Sequence, residues 1–312
     1  MFFKHNRCLF NIDKLKLIRI ISYFVLSVLF ISCGTTNAEV NSLPQLEPLS
    51  RYPGLGPSVN ISAVQPSSNH MILLEKLDQD WCEICNQYNH QTINLFFTPT
   101  HNLTGKAILI TYHPGQIDHI GNSISPETQA FLNSRYSSYA IYGYPYMQKN
   151  GHRDAQNNDY HNTDIQTILN TNFPEFYQAQ TTNFSINVSI SDHTATLSIH
   201  NYDTIQNNHI NTRIITLLVE EDYTYTTAPG TNGQTRFYRS VIDLIAVDSL
   251  TAKLNGQSQT IIHQFNEHPL PVINFGDGQQ RHPSNVSLVV FIQNLVTLHV
   301  YQSINVPLRA MP

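Results

Sequence analysis

Hydrophobic positions change their period several times along the chain. A basic stretch (Lys4, Arg7, Lys14, Lys16, Arg19) leads into an unbroken apolar run, Ile20 to Ile31, so residues 1–32 read as a signal peptide. Twelve residues rise only about 18 Å as a helix, short of the roughly 30 Å hydrocarbon core, which disfavours a permanent span. Residues 33–69 are rich in Pro, Ser and Asn with little periodicity. They predict a tether with an end-to-end distance of about 30 Å. The part near Val59 to Val64 has an alternative reading as an added edge strand.

From Met71 to about Pro174, strand-like and helix-like patterns alternate, as in an α/β unit. Residues 71–77 form a short apolar strand that runs directly into Trp81-Cys82. Cys85, Tyr88, Thr92, Leu95 and Phe96 then recur at helical spacing until Thr98-Pro99. A second strand is predicted over 106–113. A helix is predicted over 125–139, with Ser125 at N-cap, Pro126 at N1 and Glu127 in the first turn. Residues 140–147 predict a strand broken by Pro145, and 162–173 a last short helix.

Beyond Thr182 the period becomes two. Phe184, Ile186, Val188 and Ile190 alternate with polar residues, and after Asp192-His193 so do Ala195, Leu197 and Ile199. The pattern predicts a half-buried antiparallel hairpin. Further strands follow within 212–227, 237–255, 258–266 and 285–306, enough for a β-sandwich domain. The expected organisation is therefore a signal peptide (1–32), a tether (33–69), an α/β domain (70–180) and an all-β sandwich domain (181–312).

Composition and charge narrow the partners. Five of the 17 Lys and Arg and one of the 22 acids lie in residues 1–32, so the mature chain has 12 basic against 21 acidic side chains, net −9. An acidic chain with no basic run argues against a nucleic-acid partner. Leu29-Phe-Ile-Ser-Cys33 resembles the lipobox of bacterial lipoproteins. That resemblance makes Cys33 the lipidated N-terminus and, with Gly34 next to it, implies an outer-membrane destination. The membrane partner is then reached through the lipid anchor. An ordinary secretory signal with an incidental Cys33 is the alternative.

Cysteine usage directs attention to one place. Cys8 leaves with the signal and Cys33 carries lipid, so Cys82 and Cys85 are the only free thiols of the mature chain. Exported compartments favour their oxidation. A strand that ends in Trp81-Cys82-Glu83-Ile84-Cys85 and turns into a helix puts the first sulfur at the helix N-terminus, where unpaired N–H groups and the macrodipole favour a thiolate. The second sulfur comes one turn later. Cys82 is the expected nucleophile and Cys85 the resolving thiol. Glu83, an acid beside the nucleophile, opposes the dipole.

A cis X-Pro bond beside such sulfurs leaves backbone groups free to pair with an extended substrate strand. Tyr144-Pro145 is the candidate, with a trans proline at a strand edge as the alternative. The order of strand, Trp81-Cys82-x-x-Cys85, helix, strand, helix and Tyr144-Pro145 resembles a thioredoxin fold. With the lipoprotein signal, the Gly143-Tyr-Pro145 strand and the closing β segment (286–308), the chain resembles the family of the twenty-eight-kilodalton outer-membrane protein. That family joins a thioredoxin-like domain to a β domain on a surface or periplasmic lipoprotein. The family's Thr-Gly before the Trp is Asp78-Gln79 here, and its proline after the second Cys is Asn86. The resemblance implies thiol–disulfide exchange with envelope protein thiols or disulfides, no cofactor, and Trp81 and Pro145 beside the reacting pair. It also implies a buried acid on the preceding strand. Glu75 is the nearest candidate, sharing a face with Leu73 and Leu77, against the alternative of an exposed strand carboxylate.

Other constellations carry less. Zinc needs four ligands, and Cys82 and Cys85 supply two; His90, His113 and His119 are the residues that would complete a site, and no metal is expected. The polar run 151–164 reads as a solvated loop. Tyr223, Tyr225, Phe237 and Tyr238 read as sandwich core or cross-strand pairs. The rival to redox chemistry is a binding or adhesion lipoprotein with a permanent Cys82–Cys85 disulfide.

Overall fold

The computed structural model describes residues 61–97, 106–114, 124–139, 143–151, 182–191, 194–203, 209–252, 255–264, 273–274, 280–281 and 285–309. The signal, Cys33, the tether before residue 61, His119, the polar run after Gly151 and the helix expected over 162–173 lie outside them.

Two strands made entirely of buried residues set the architecture. Strand β2 (Ile72–Leu77) and β3 (Ala107–Tyr112) pair in parallel from Ile72↔Ala107 to Leu77↔Tyr112. A strand with no exposed face needs a layer on each side. One layer is supplied by α2 (Pro126–Ser138), the other by α1 (Glu83–Phe97). Helix α2 begins as its sequence requires: the Ser125 hydroxyl accepts from Thr128 N at 3.1 Å, with Pro126 at the first helical position. On the outer side β4 (Tyr146–Lys149) pairs antiparallel with β2, Leu77 opposite Tyr146. The strand expected over 140–147 therefore begins later, because Pro145 has no N–H to give a ladder.

The period-two segment gives β5 (Phe184–Ser191) and β6 (Thr194–Asn201), whose apolar residues are buried on one face. With β1 (Ile61–Gln65) on one side and β9 (Ser258–Gln264) on the other they form a four-stranded sheet. Strand β1 pairs with β5 from Ile61↔Ile190 to Gln65↔Ile186. The end of the expected tether thus takes its alternative reading as an edge strand.

The long strands β7 (Thr212–Thr224), β8 (Arg236–Ser249), β12 (Asn285–Asn294) and β13 (Val300–Arg309) pair antiparallel. Strand β8 then joins β3 in parallel at Thr111↔Ser240, and the Thr111 hydroxyl donates to Tyr238 O at 2.9 Å. The result is one seven-stranded sheet in the order β13-β12-β7-β8-β3-β2-β4. A further short pair, β10 (Ile273–Asn274) with β11 (Gln280–Arg281), stands apart. The line drawn at residue 180 therefore crosses a shared sheet. Among the described residues the chain is mostly β, with two large sheets packed as a sandwich and few helices.

Alternation distributes the cores. Phe184, Val188, Leu197, Ile214, Leu218, Ile242, Val290 and Val306 meet between the two sheets. Leu73, Leu77, Ile110, Phe131, Leu132, Leu217, Val219 and Phe291 meet between the seven-stranded sheet and α2. Among the described residues no helix is long and apolar enough to cross a membrane.

Candidate functional site: the disulfide at the head of α1

Strand β2 ends at Leu77, and the next five residues turn the chain into α1. The Asp78 amide donates to Tyr112 O at 2.9 Å, prolonging the β2–β3 ladder by one bond, and Cys82 N donates to Gln79 O at 3.2 Å. Cys82 stands immediately before α1. Its carbonyl accepts from Cys85 N at 3.0 Å and its sulfur accepts from the same amide at 3.2 Å. The first sulfur is thus at the helix N-terminus, where the dipole favours negative charge. Cys82 and Cys85 form a disulfide, with Cα atoms 5.2 Å apart.

Access is narrower than an exposed helix tip would give. Cys82 is 8% exposed and Cys85 0%, whereas Trp81 and Ile84 are 44% and 46% exposed. Trp81 donates from its indole N–H to Gln79 Oε1 at 2.9 Å. Its ring meets Tyr144 edge-on at 6.1 Å, and Tyr144 stacks on Tyr136 of α2 at 5.7 Å. The Tyr144-Pro145 bond is cis, and Pro145 is buried directly before Tyr146, the partner of Leu77. Trp81, Cys82, Cys85 and Pro145 therefore gather at one end of β2.

Glu75 does not join them. It is fully buried, against the exposed-carboxylate reading, but it faces α2. It accepts from the Arg135 guanidinium, from Tyr112 OH at 2.8 Å and from Tyr139 OH, while Arg135 also donates to Gln293. Burial pushes the Tyr112 phenol well above its usual range, and the Glu75 charge adds to it. Burial likewise raises Tyr139, further raised by Glu75. Burial alone would lower Arg135, yet the Glu75 carboxylate more than offsets it and holds the guanidinium above its ordinary value.

The residue of β2 that faces α1 is Lys76. Its ammonium, with no exposed surface, donates to Asp78 Oδ2 at 2.6 Å and to Asn89 Oδ1 at 3.1 Å. Asn89 lies four residues after Cys85 and hence on the same helical face. Its amide also donates to Arg236 O at 2.7 Å. A charged pair buried under α1 and bonded to it one turn beyond Cys85 is invisible in a sequence where lysine and aspartate read as surface.

A second group at the site comes from far along the chain. The turn between β7 and β8 lies against the loop that leads into Cys82. Asn232 N donates to Asp80 O at 3.1 Å, and its side-chain amide donates to Gln79 O at 3.1 Å and Cys82 O at 3.2 Å. Asn86 Nδ2 donates to Asn232 O at 3.2 Å. Gly230 sits so close that a Cβ there would run into the Asp80 carbonyl. The Asn232-Gly233 pair is a hairpin signal; nothing in the sequence says which loop it touches.

Of the histidines that a metal site with Cys82 and Cys85 would need, His113 is buried against Ser240, 3.3 Å from its hydroxyl, and beside Phe237, and His90 is exposed on α1. Tyr223, Tyr225 and Phe237 form a cross-strand aromatic cluster, with Tyr225 5.3 Å from Phe237.

The chain is similar in fold to HBP35 of Porphyromonas gingivalis. The similarity has a TM-score of 0.53 at 13% identity and covers 77% of this chain and 76% of that one. A domain of the outer membrane lipoprotein Omp28 from Porphyromonas gingivalis also matches, at a TM-score of 0.21 and 14% identity over 38% of this chain and 78% of that domain, too low to carry an argument. No protein-family model and no curated protein matches.

Proposed function

We propose that the protein is a lipid-anchored envelope protein, bound for the outer membrane, that exchanges thiols and disulfides with other envelope proteins through Cys82 and Cys85. The observation that carries the reading is the Cys82–Cys85 disulfide at the head of α1. The order β2, α1, β3, α2, β4 around it, with Trp81 and a cis Pro145 at the same end, supports the thioredoxin-like interpretation of residues 70–180. The signal segment, the lipobox-like Leu29 to Cys33 and the acidic mature chain support the location and argue against nucleic acid. No cofactor enters the chemistry: in the dithiol form Cys82 attacks a substrate disulfide, and Cys85 resolves the mixed disulfide that results.

The near-complete burial of both cysteines favours a second reading, a binding module in which the disulfide is a permanent staple. A Cys85→Ser variant expressed in its own envelope separates the two. Exchange leaves Cys82 trapped in discrete mixed disulfides that migrate slowly on non-reducing gels and vanish when Cys82 is also replaced. A monomer with an inert Cys82 thiol overturns the exchange reading in favour of the staple.

A further inference from the structure

We infer that Asn232, supplied by the β7–β8 hairpin, is a positioning residue for the redox loop and sets how readily the Cys82–Cys85 disulfide is reduced; this rests on thiol–disulfide exchange as the function of the site. Asn232 makes three donor contacts to the backbone of residues 79, 80 and 82 and accepts one from Asn86. Its own side chain is fixed by Gln234 N, which donates to Asn232 Oδ1 at 2.8 Å. These partners bracket the reacting pair on both sides.

The Cys82 carbonyl is the hinge. It closes the first turn of α1 by accepting from Cys85 N and is held to the hairpin by Asn232 Nδ2. Reduction proceeds when a dithiol's thiolate attacks Cys82 Sγ. A new S–S bond forms, the Cys82–Cys85 bond breaks, and its electron pair stays on Cys85, which takes a proton from water. The reductant's second thiolate then displaces Cys82 and leaves as a cyclic disulfide. The two sulfurs must separate from bonding to van der Waals distance, and a Cys82 carbonyl held at once by Cys85 N and Asn232 Nδ2 limits how far the backbone at residue 82 can share in that separation. The contacts seen belong to the disulfide form. A contact made better in one redox state biases the equilibrium toward that state, and the redox state biases the contact in return.

The test is the equilibrium of the full mature protein with reduced and oxidised dithiothreitol. Asn232→Ala is expected to shift it at least tenfold toward the dithiol, about 30 mV for a two-electron couple. Gly230→Ala, which keeps Asn232 but pushes the hairpin off Asp80, shifts it in the same direction. Asn232→Gln, which retains a carboxamide, recovers part of the effect. A merely structural role would lower the melting temperature of both redox forms equally and leave the equilibrium within twofold of wild type, which overturns the inference. Hydrogen exchange needs no variant: reduction of the wild type is expected to speed exchange of the Asn232 amide at least fivefold, and unchanged exchange also overturns it. A folded wild type whose disulfide never reacts with dithiothreitol removes the exchange reading itself.

Discussion

Glu75 and Lys76 are neighbours on one strand, and both are buried charges, yet alternation sends them to opposite faces with different company. Glu75 faces α2 and meets Arg135, Tyr112, Tyr139 and, through Arg135, Gln293 of β12. Lys76 faces α1 and meets Asp78 and Asn89 beside the disulfide. The first cluster ties a helix to strands remote in sequence and contains no reacting atom. The second is joined through Asn89 to Arg236 and lies next to the hairpin that holds Cys82. Burial of charge is therefore no guide to chemistry here; the face of the strand is.

Substitution separates the two faces of β2 most clearly. Glu75→Gln leaves the Arg135 charge buried without its counter-ion and should cost about 4 kcal/mol in urea unfolding, because breaking a buried pair strands one charge. The dithiothreitol equilibrium of the disulfide should stay within twofold of wild type; a larger shift would erase the distinction between the faces. Lys76→Met strands Asp78 in the same way and should cost about 3 kcal/mol, most of it recovered by adding Asp78→Asn. Here the disulfide equilibrium should move with stability, since Asn89 Oδ1 loses its donor one turn from Cys85.

Taken per pH unit, alkaline pH has the smallest effect. Tyr112 and Tyr139 have folded-state pKa values raised above the unfolded value, so their contribution is complete below about pH 10 and is lost as pH rises further. The unfolded chain releases those protons first, so stability should fall by about 1.4 kcal/mol per pH unit for each phenol. Denaturation followed from pH 9 to 11.5 should show this slope, and Tyr139→Phe should roughly halve it.

Much of the local structure was legible. The cap at Ser125, the alternation of β5 and β6, the helix that follows Cys82 and the cysteine pair itself are set by residues close in sequence, where turn chemistry and period act directly. Pro145 was legible for the same reason. What was not legible depends on distant partners. Lys76 looks like any strand lysine until Asp78 and Asn89 close round it. Asn232 looks like a turn residue, and its contact with Cys82 lies 150 residues away. Glu75 reads as a candidate acid, but alternation alone does not tell which helix it faces.

Until Ser240 is in place β3 presents an unpaired edge, and without the long strands Ile110, Leu77 and Phe131 lack the cover that Leu217, Val219 and Phe291 bring. A fragment cut near residue 180 would keep both cysteines but display a sticky strand margin to every neighbour. The half that holds Cys82 and Cys85 thus shares both its sheet and its core with strands from the last third of the polypeptide.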